Sequence, residues 1–225
     1  MSERTEQIIE TLVESFWPIL QAGLEFTIPL ALISFVLGLI LAFFTALARM
    51  SKFKLFSWPA RFYVWIIRGT PLLVQLFIIF FGLPSVGVTL DGFPAAVIGF
   101  TLNVGAYNSE IIRAALQSIP KGQWEAADSI GMTRRQALRR IIVPQAVRVA
   151  VPPLSNSFIG LVKDTSLAAI ITVPEMLQVT QRINAVKYEG LWLYIEVALI
   201  YLIFSTVLST LQGYLERRYD RYVSH

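Results

Sequence analysis

Four positions within one largely apolar stretch, which also holds Arg148 and Lys163, carry the residues best suited to chemistry: Asn156, Ser157, Gly160 and Asp164. On a helix, Ser157, Gly160 and Asp164 fall at i, i+3 and i+7 and share a face. Ser157 offers a hydroxyl, Asp164 a carboxylate, and Gly160 leaves room between them. Such a face could hold the ammonium of a zwitterion through a charge-assisted hydrogen bond. Asn156 and Lys163 form a second i, i+7 pair alongside. Pro152 and Pro153 would loosen the helix before them, and freed carbonyls could also bind a ligand. The alternative is structural: Asp164 and Lys163 pair with each other or with other polar groups, and the prolines only kink a helix. Adjacent residues point in different directions on a helix, so a direct pair is not the obvious outcome.

A second polar set lies earlier in the chain. Asn103 and Tyr107 are one turn apart and could face the Ser157 segment, as substrate contacts or as glue between helices. Gln75 poses the same choice. Glu110 and Arg113 read as a structural ion pair, and Arg68 as a snorkelling side chain. Bond-making chemistry is poorly supplied. The chain has no cysteine, and its one histidine is the terminal His225. That leaves no thiolate nucleophile, no sulfur or histidine metal site and no implied cofactor. There is no GxxxxGK[ST] either, so any ATP must be hydrolysed by another chain.

These polar residues sit in a chain that is 55% hydrophobic and 15% charged, with a mean hydropathy of +0.61. Its charges cluster between long apolar runs, the pattern of a polytopic membrane protein. The net charge of +4 does not point to nucleic acid, because the basic residues sit in short loops beside apolar segments. Five spans are expected, at about 26–48, 62–83, 93–112, 145–173 and 191–211. Gly69 and Pro71 interrupt the second, and the later half of the third is polar. Residues 1–17 lack the apolar core of a signal peptide and carry five charges from Glu3 to Glu14. Their apolar positions Ile8, Ile9, Leu12, Val13 and Phe16 predict an amphipathic helix at the membrane surface. Basic residues gather at 49–61, at 121–140 and in the tail with Arg217, Arg218 and Arg221. The positive-inside rule makes that side cytoplasmic, with the N-terminus outside and the C-terminus inside.

The stretch 118–144 predicts two short helices in the cytoplasm. Ser118 and Pro120 start the first, Trp124, Ala127 and Ile130 line one face, and Gly131 stops it. Thr133 caps the second, with Gln136 completing a capping box. Leu138, Ile141 and Ile142 are its apolar positions, and Pro144 ends it.

Glu125-Ala126-Ala127, three residues, Gly131, nine residues, then Ile141-x-Val143-Pro144 resembles the EAA loop of ATP-binding-cassette importer permeases. The family pattern ends in Leu-Pro where this chain has Val143-Pro144. Arg68 to Gln75 resembles the start of span two in polar amino acid permeases, and Lys163 to Leu167 their fourth-span motif. The full sequence is most similar to L-cystine permeases. The resemblance implies an all-α, type I importer permease, a single domain over 1–225. In the family the EAA loop is a coupling helix that docks on the ATPase subunit, which carries that role here to Glu125, Ala126, Ala127 and Gly131, with Trp124 and Arg134 beside them. It further implies an ATPase dimer, a second permease subunit, an extracytoplasmic solute-binding protein and a plasma-membrane location. The family position matching Ser157 is acidic in permeases for basic amino acids and amide-bearing in glutamine permeases. A serine there favours a neutral polar amino acid such as cystine.

The competing reading is an ion-coupled secondary carrier with Asp164 and Glu110 as ion sites. Five spans are few for that, no inverted repeat is evident, and the cytoplasmic helix pair would have no use. A membrane anchor without a transport path has no reason to carry an aspartate in its fourth span.

Overall fold

A computed structural model describes residues 3–220 of the chain. Arg221 and His225 fall outside the described residues, as do the side chains of Arg217 and Arg218. Among the described residues every regular element is helical, as expected where apolar segments must satisfy their own backbone groups.

The chain opens with α1 (Glu3–Ala22), a π turn at Gly23–Thr27 and α2 (Ile28–Met50), one helical run of 48 residues. The N-terminal helix is therefore not a separate element. Its expected apolar face is largely exposed, with Val13 at 72% and Phe16 at 45%, while Thr11, Ser15, Ile19 and Ala22 form the buried face. Helix α3 (Lys54–Gly69) stops where Thr70 and Pro71 turn extended, and α4 (Leu72–Phe77) restarts beyond them. The expected second span is thus a broken pair. The residue before a proline is driven out of the helical region, which places the break at Thr70.

Helix α5 (Gly92–Gln117) covers the third expected span with 26 residues. At 1.5 Å per residue it is about 39 Å long. Two short loop helices follow, α6 (Lys121–Ser129) and α7 (Arg134–Ala137). A π turn at Leu138–Ile142 then leads into α8 (Val143–Asp164), with a 3₁₀ segment from Thr165 to Ile171. Helices α9 (Met176–Lys187) and α10 (Gly190–Asp220) complete the described chain. The runs Glu3–Met50 and Gly190–Tyr214 are each long and apolar enough to cross a membrane. Lys54–Gly69 with Leu72–Val86, and Arg134–Ile171 with Met176–Lys187, qualify if each broken pair counts as one span. Helix α5 has the length, but its polar second half keeps it off that count.

Proline placement explains an irregularity shared by three sites. The π turns at Gly23–Thr27, Ile78–Gly82 and Leu138–Ile142 each close on a residue directly followed by proline: Pro29, Pro84 and Pro144. In each, the closing amide reaches back five residues, as Val143 does to the Leu138 carbonyl. Proline cannot donate to the carbonyl four residues back, and its ring crowds that carbonyl. Widening the preceding turn by one residue absorbs both problems. Pro144 therefore does not end the second loop helix, as the sequence led us to expect; the helix runs on into α8. Pro152 and Pro153 also lie within continuous helix, which deprives the Arg148 and Val149 carbonyls of their usual donors.

The described residues form two compact units. The first comprises Met1–Phe35, Pro71–Phe100 and Phe158–Thr210. There Ile19, Met176, Val197 and Ile200 pack as a core joining α1, α9 and α10. Beside that core, the Ser15 hydroxyl donates to Glu196 at 2.5 Å. Glu175, fully buried, accepts from the Gln178 amide at 2.8 Å, capping α9, and from the Tyr201 hydroxyl at 2.5 Å.

The second unit comprises Val36–Thr70, Thr101–Ser157 and Leu211–His225. One core holds Val64, Ile67 and Ala106 with Tyr63 and Leu102. Tyr63 donates to the Leu102 carbonyl at 2.6 Å, across a contact so close that a side chain at Gly105 would meet the Tyr63 oxygen at 2.7 Å. The other core is Ala115, Ile119, Ile142, Ala146 and Ala150, and it carries the loop helices.

Candidate functional site

The loop 118–144 is built almost entirely from bonds between near neighbours. Ser118 does not start α6: its hydroxyl donates to the Ala115 carbonyl, closing α5, and Pro120 takes the N-cap. At the other end Gly131 adopts φ +74°, the left-handed conformation that costs a side-chain-bearing residue about 1–2 kcal/mol. Its amide donates to the Asp128 carbonyl and that of Met132 to the Ala127 carbonyl, both at 3.0 Å. Those two bonds make a Schellman stop. Two residues later the expected capping box is present. The Gln136 amide donates to the Thr133 hydroxyl at 3.3 Å, and the Thr133 amide to the Gln136 side chain at 2.9 Å.

Burial then sorts the loop's apolar residues. Ala127 is fully buried, and Trp124 and Ile141 pack on the core around Ile142. Ile130 and Leu138, expected on the apolar faces, are instead exposed, because the Schellman turn and the π turn rotate them away. The Arg134 guanidinium lies over the Trp124 ring, 5.7 Å from its centre. Together with Lys121, Glu125 and Asp128 they line a surface pocket of 390 Å³. Glu125 and Ala126 face outward, so α6 presents its acidic and small residues for contact while Ala127 anchors it. Of the six residues assigned to coupling, Trp124, Glu125, Ala126 and Arg134 lie on one surface, Ala127 anchors it from beneath, and Gly131 is its joint.

The polar residues of α5 and α8 are held differently. Within the second unit, the Ser157 hydroxyl donates to Asn108 Oδ1 at 2.8 Å. Asn108 is fully buried, and its Nδ2 has no hydrogen-bond partner. Such a buried orphan donor costs about 1–3 kcal/mol. Asn156 is exposed and accepts from Gln212 Nε2 at 3.2 Å. The Tyr107 ring lies 5.2 Å beneath the Arg68 guanidinium, and Asn103 is half-buried one turn before it. In the first unit Gln75 is buried on α4, Asp164 is exposed at the end of α8, and a side chain on Gly160 would meet nothing within 4 Å. No ion pair joins Asp164 and Lys163 among the described residues, which removes one structural account of the aspartate.

Two groupings lay outside the sequence reading. Asn108 was one polar residue of the third span, with nothing to single it out until helix packing brought Ser157 to it. Glu110 does pair with Arg113, at 2.7 Å, but it also pairs with Arg49, and Arg68 approaches to 3.8 Å. Arg49 and Arg68 read from sequence as loop and interface charges; here, with Arg113, they converge on one half-buried carboxylate.

A family model described as binding-protein-dependent transport system inner membrane component matches residues 34–221. The chain is 58% identical over 212 residues to the L-cystine transport system permease protein TcyB of Bacillus subtilis (strain 168), covering 94% of this chain and 91% of that one. It is 44% identical over 211 residues to the probable amino-acid ABC transporter permease protein YckA of the same organism, covering 94% and 93%. Among solved structures, a crystal structure of an amino acid ABC transporter with histidines matches at a TM-score of 0.81 and 34% identity, over 97% of this chain and 96% of that one. An inward-facing structure of the MetNI methionine ABC transporter matches at 0.69 and 22% identity, over 97% and 99%, a likeness of fold.

Proposed function

We propose, from the premise that the chain belongs to the binding-protein-dependent transport system inner membrane components, that it conducts L-cystine into the cytoplasm as the permease of an ATP-driven importer. It is a multi-pass inner-membrane protein and an ABC importer permease. Family membership implies ATPase and second-permease partners. In this reading the chain makes and breaks no covalent bond itself, the ATPase supplies the energy, and a solute-binding protein delivers the substrate on the outer face.

The observation that carries the reading is the surface of α6. Its exposed Glu125 and Ala126, the Trp124–Arg134 stack and the left-handed joint at Gly131 make a firm, preshaped contact for another protein. A firm contact passes on a push. ATP binding draws the ATPases together, α6 moves with them, and α8 follows because the loop's second helix is continuous with it through Val143. The permease equilibrium shifts from inward-facing toward outward-facing, by no more than the ATPases' differential affinity for the two states.

Asn103, Tyr107, Asn156, Ser157, Gly160, Asp164 and Gln75 are the proposed substrate contacts. A serine at 157 favours a neutral amino acid, and TcyB's similarity favours cystine. Basic loops at 49–61 and 121–140 support a cytoplasmic α6 and an external N-terminus.

The test is uptake of labelled L-cystine into proteoliposomes holding the chain with its ATPase and binding protein. Uptake should need ATP; uptake driven by an ion gradient without the ATPase overturns the reading. Because the chain has no cysteine, single cysteines at Ser129 and Glu10 report sidedness to an impermeant maleimide. Only the second should label from outside in intact cells.

A further inference from the structure

Helix α3 carries three stripes along its length. Ser57, Val64 and Ile67 are buried, the last two against Ala106. On the far side Trp58, Phe62 and Trp65 are exposed and stand in a row, with successive ring centres 5.7 and 5.9 Å apart. Beside that row Lys54, Arg61 and Arg68 fall at i, i+7 and i+14, so they line up along the helix, and all three are exposed. Arg68 is held over the Tyr107 ring and near Glu110. Lys54 and Arg61 form no ion pair among the described residues. No acid occurs between Arg49 and Arg68 to answer them.

These charges decide how α3 can lie. Its 16 residues fall short of the roughly 20 that a span needs. As the first half of a broken span, it would run the basic stripe about 21 Å into the bilayer. Arg61 would then sit below the headgroups on an exposed face, where a charge is expensive. Laid flat, the same helix keeps all three cations at headgroup level and the aromatic row just beneath, the depth that tryptophan favours. A basic face beside a Trp/Phe face is the pattern of an interfacial helix.

We propose that α3 lies in the plane of the membrane surface and binds anionic phospholipid, with the Lys54–Arg61–Arg68 stripe taking the headgroup phosphates. A zwitterionic lipid offsets its phosphate with its own ammonium, so the stripe favours headgroups with net negative charge. Each basic residue at such a surface strengthens the attraction about fivefold. The assignment holds whatever substrate the chain carries.

Two measurements on the full chain test it. Native mass spectrometry during a titration with phosphatidylglycerol resolves single bound lipids. Arg61→Gln should weaken the tightest phosphatidylglycerol site about fivefold, and Lys54→Gln added to it should weaken that site further. Arg135→Gln with Arg139→Gln removes as many exposed charges from the 118–144 loop and should leave the affinity unchanged. An equal loss in both double variants would mean that net charge alone attracts the lipid. Wild-type binding no tighter for phosphatidylglycerol than for phosphatidylcholine, or competed away by inorganic phosphate, would mean that the stripe selects no anionic lipid. Either result overturns the lipid site. The second measurement is depth. The chain has no cysteine, so nitroxides at Leu55→Cys and Ile66→Cys, both exposed on α3, report accessibility to oxygen against a water-soluble nickel chelate. In vesicles a flat helix puts both labels at one depth, whereas a crossing helix separates them by up to about 16 Å. Unequal depths overturn the in-plane placement. So do labels that are immobile and shielded from both reagents in the assembled importer, because a protein would then cover that face.

Discussion

The loop 118–144, proposed to couple the chain to its ATPase, and the polar contacts of α5 and α8 are two solutions to holding a side chain in place. In the loop, the bonds that fix its turns span five residues or fewer, from the Met132 amide to the Ala127 carbonyl and between Thr133 and Gln136, with the Gln145–Gln123 side-chain bond as the longer exception. The Ser157–Asn108 bond spans 49 residues, and the Arg49–Glu110 pair spans 61. A locally stapled segment keeps its shape when its surroundings move, which suits a part that must transmit a push. Long-range pairs exist only in one packing of the helices, which suits groups whose spacing must change as a path opens and closes. Damage to the loop should therefore cost coupling and spare the fold, whereas damage to the long-range pairs should cost stability first.

Glu110→Gln should break the molecule hardest. It strips the counter-charge from Arg49 and Arg113, whose side chains are only 15% and 32% exposed. Burial here is partial, so losing these charge-assisted bonds should cost about 1.5–3 kcal/mol, and the more exposed Arg68, at 3.8 Å, adds little. Thermal unfolding in detergent should shift down by several degrees. An unchanged melting temperature would mean that the cluster holds nothing together.

Gly131→Val comes next. A β-branched residue at φ +74° costs about 2 kcal/mol or more. The cost falls on the Schellman turn and not on a core, since a side chain there would meet nothing within 4 Å. The expected result is normal insertion and a melting temperature lowered by less than in Glu110→Gln, because the strained turn can relax locally, with ATP-driven uptake reduced about tenfold or more while ATP hydrolysis continues. A melting temperature that fell as far as in Glu110→Gln would erase the distinction between the two regions.

The same distinction decides what could be read in the sequence. The Gly131 stop, the Thr133–Gln136 box and the Glu110–Arg113 pair were legible because each is written in residues three or four apart, or in one glycine. Pro144 misled: a proline ends most helices, but a π turn from Leu138 to Ile142 lets this one continue. The same device at Gly23–Thr27 merged the N-terminal helix with the first span, so a stripe read as surface-bound became the outer face of a longer run. Asn108, Arg49 and the buried Glu175–Tyr201 bond were out of reach, because which helix faces which is not a local property. A lone Glu175 after Val173-Pro174 and before a helical stretch was the one available hint, as an N-cap.

Thr133→Ala should have the smallest effect and is the sharpest probe of how stiff the loop must be. It removes the side-chain half of the capping box, worth about 1 kcal/mol. The rest of the joint stays: the Gly131 turn, buried Ala127 and the Trp124–Arg134 stack. If coupling needs the two loop helices held at a fixed angle, the loss of the cap should lower the uptake per ATP hydrolysed by a few-fold, with melting unchanged. If the fully buried Ile142 and Ala127 anchor the loop by themselves, that ratio should stay at the wild-type value. Rigidity would then reside in the core beneath α6 and not in the hydrogen bonds along it, and the local character of the loop would be a feature of how it folds more than of how it works.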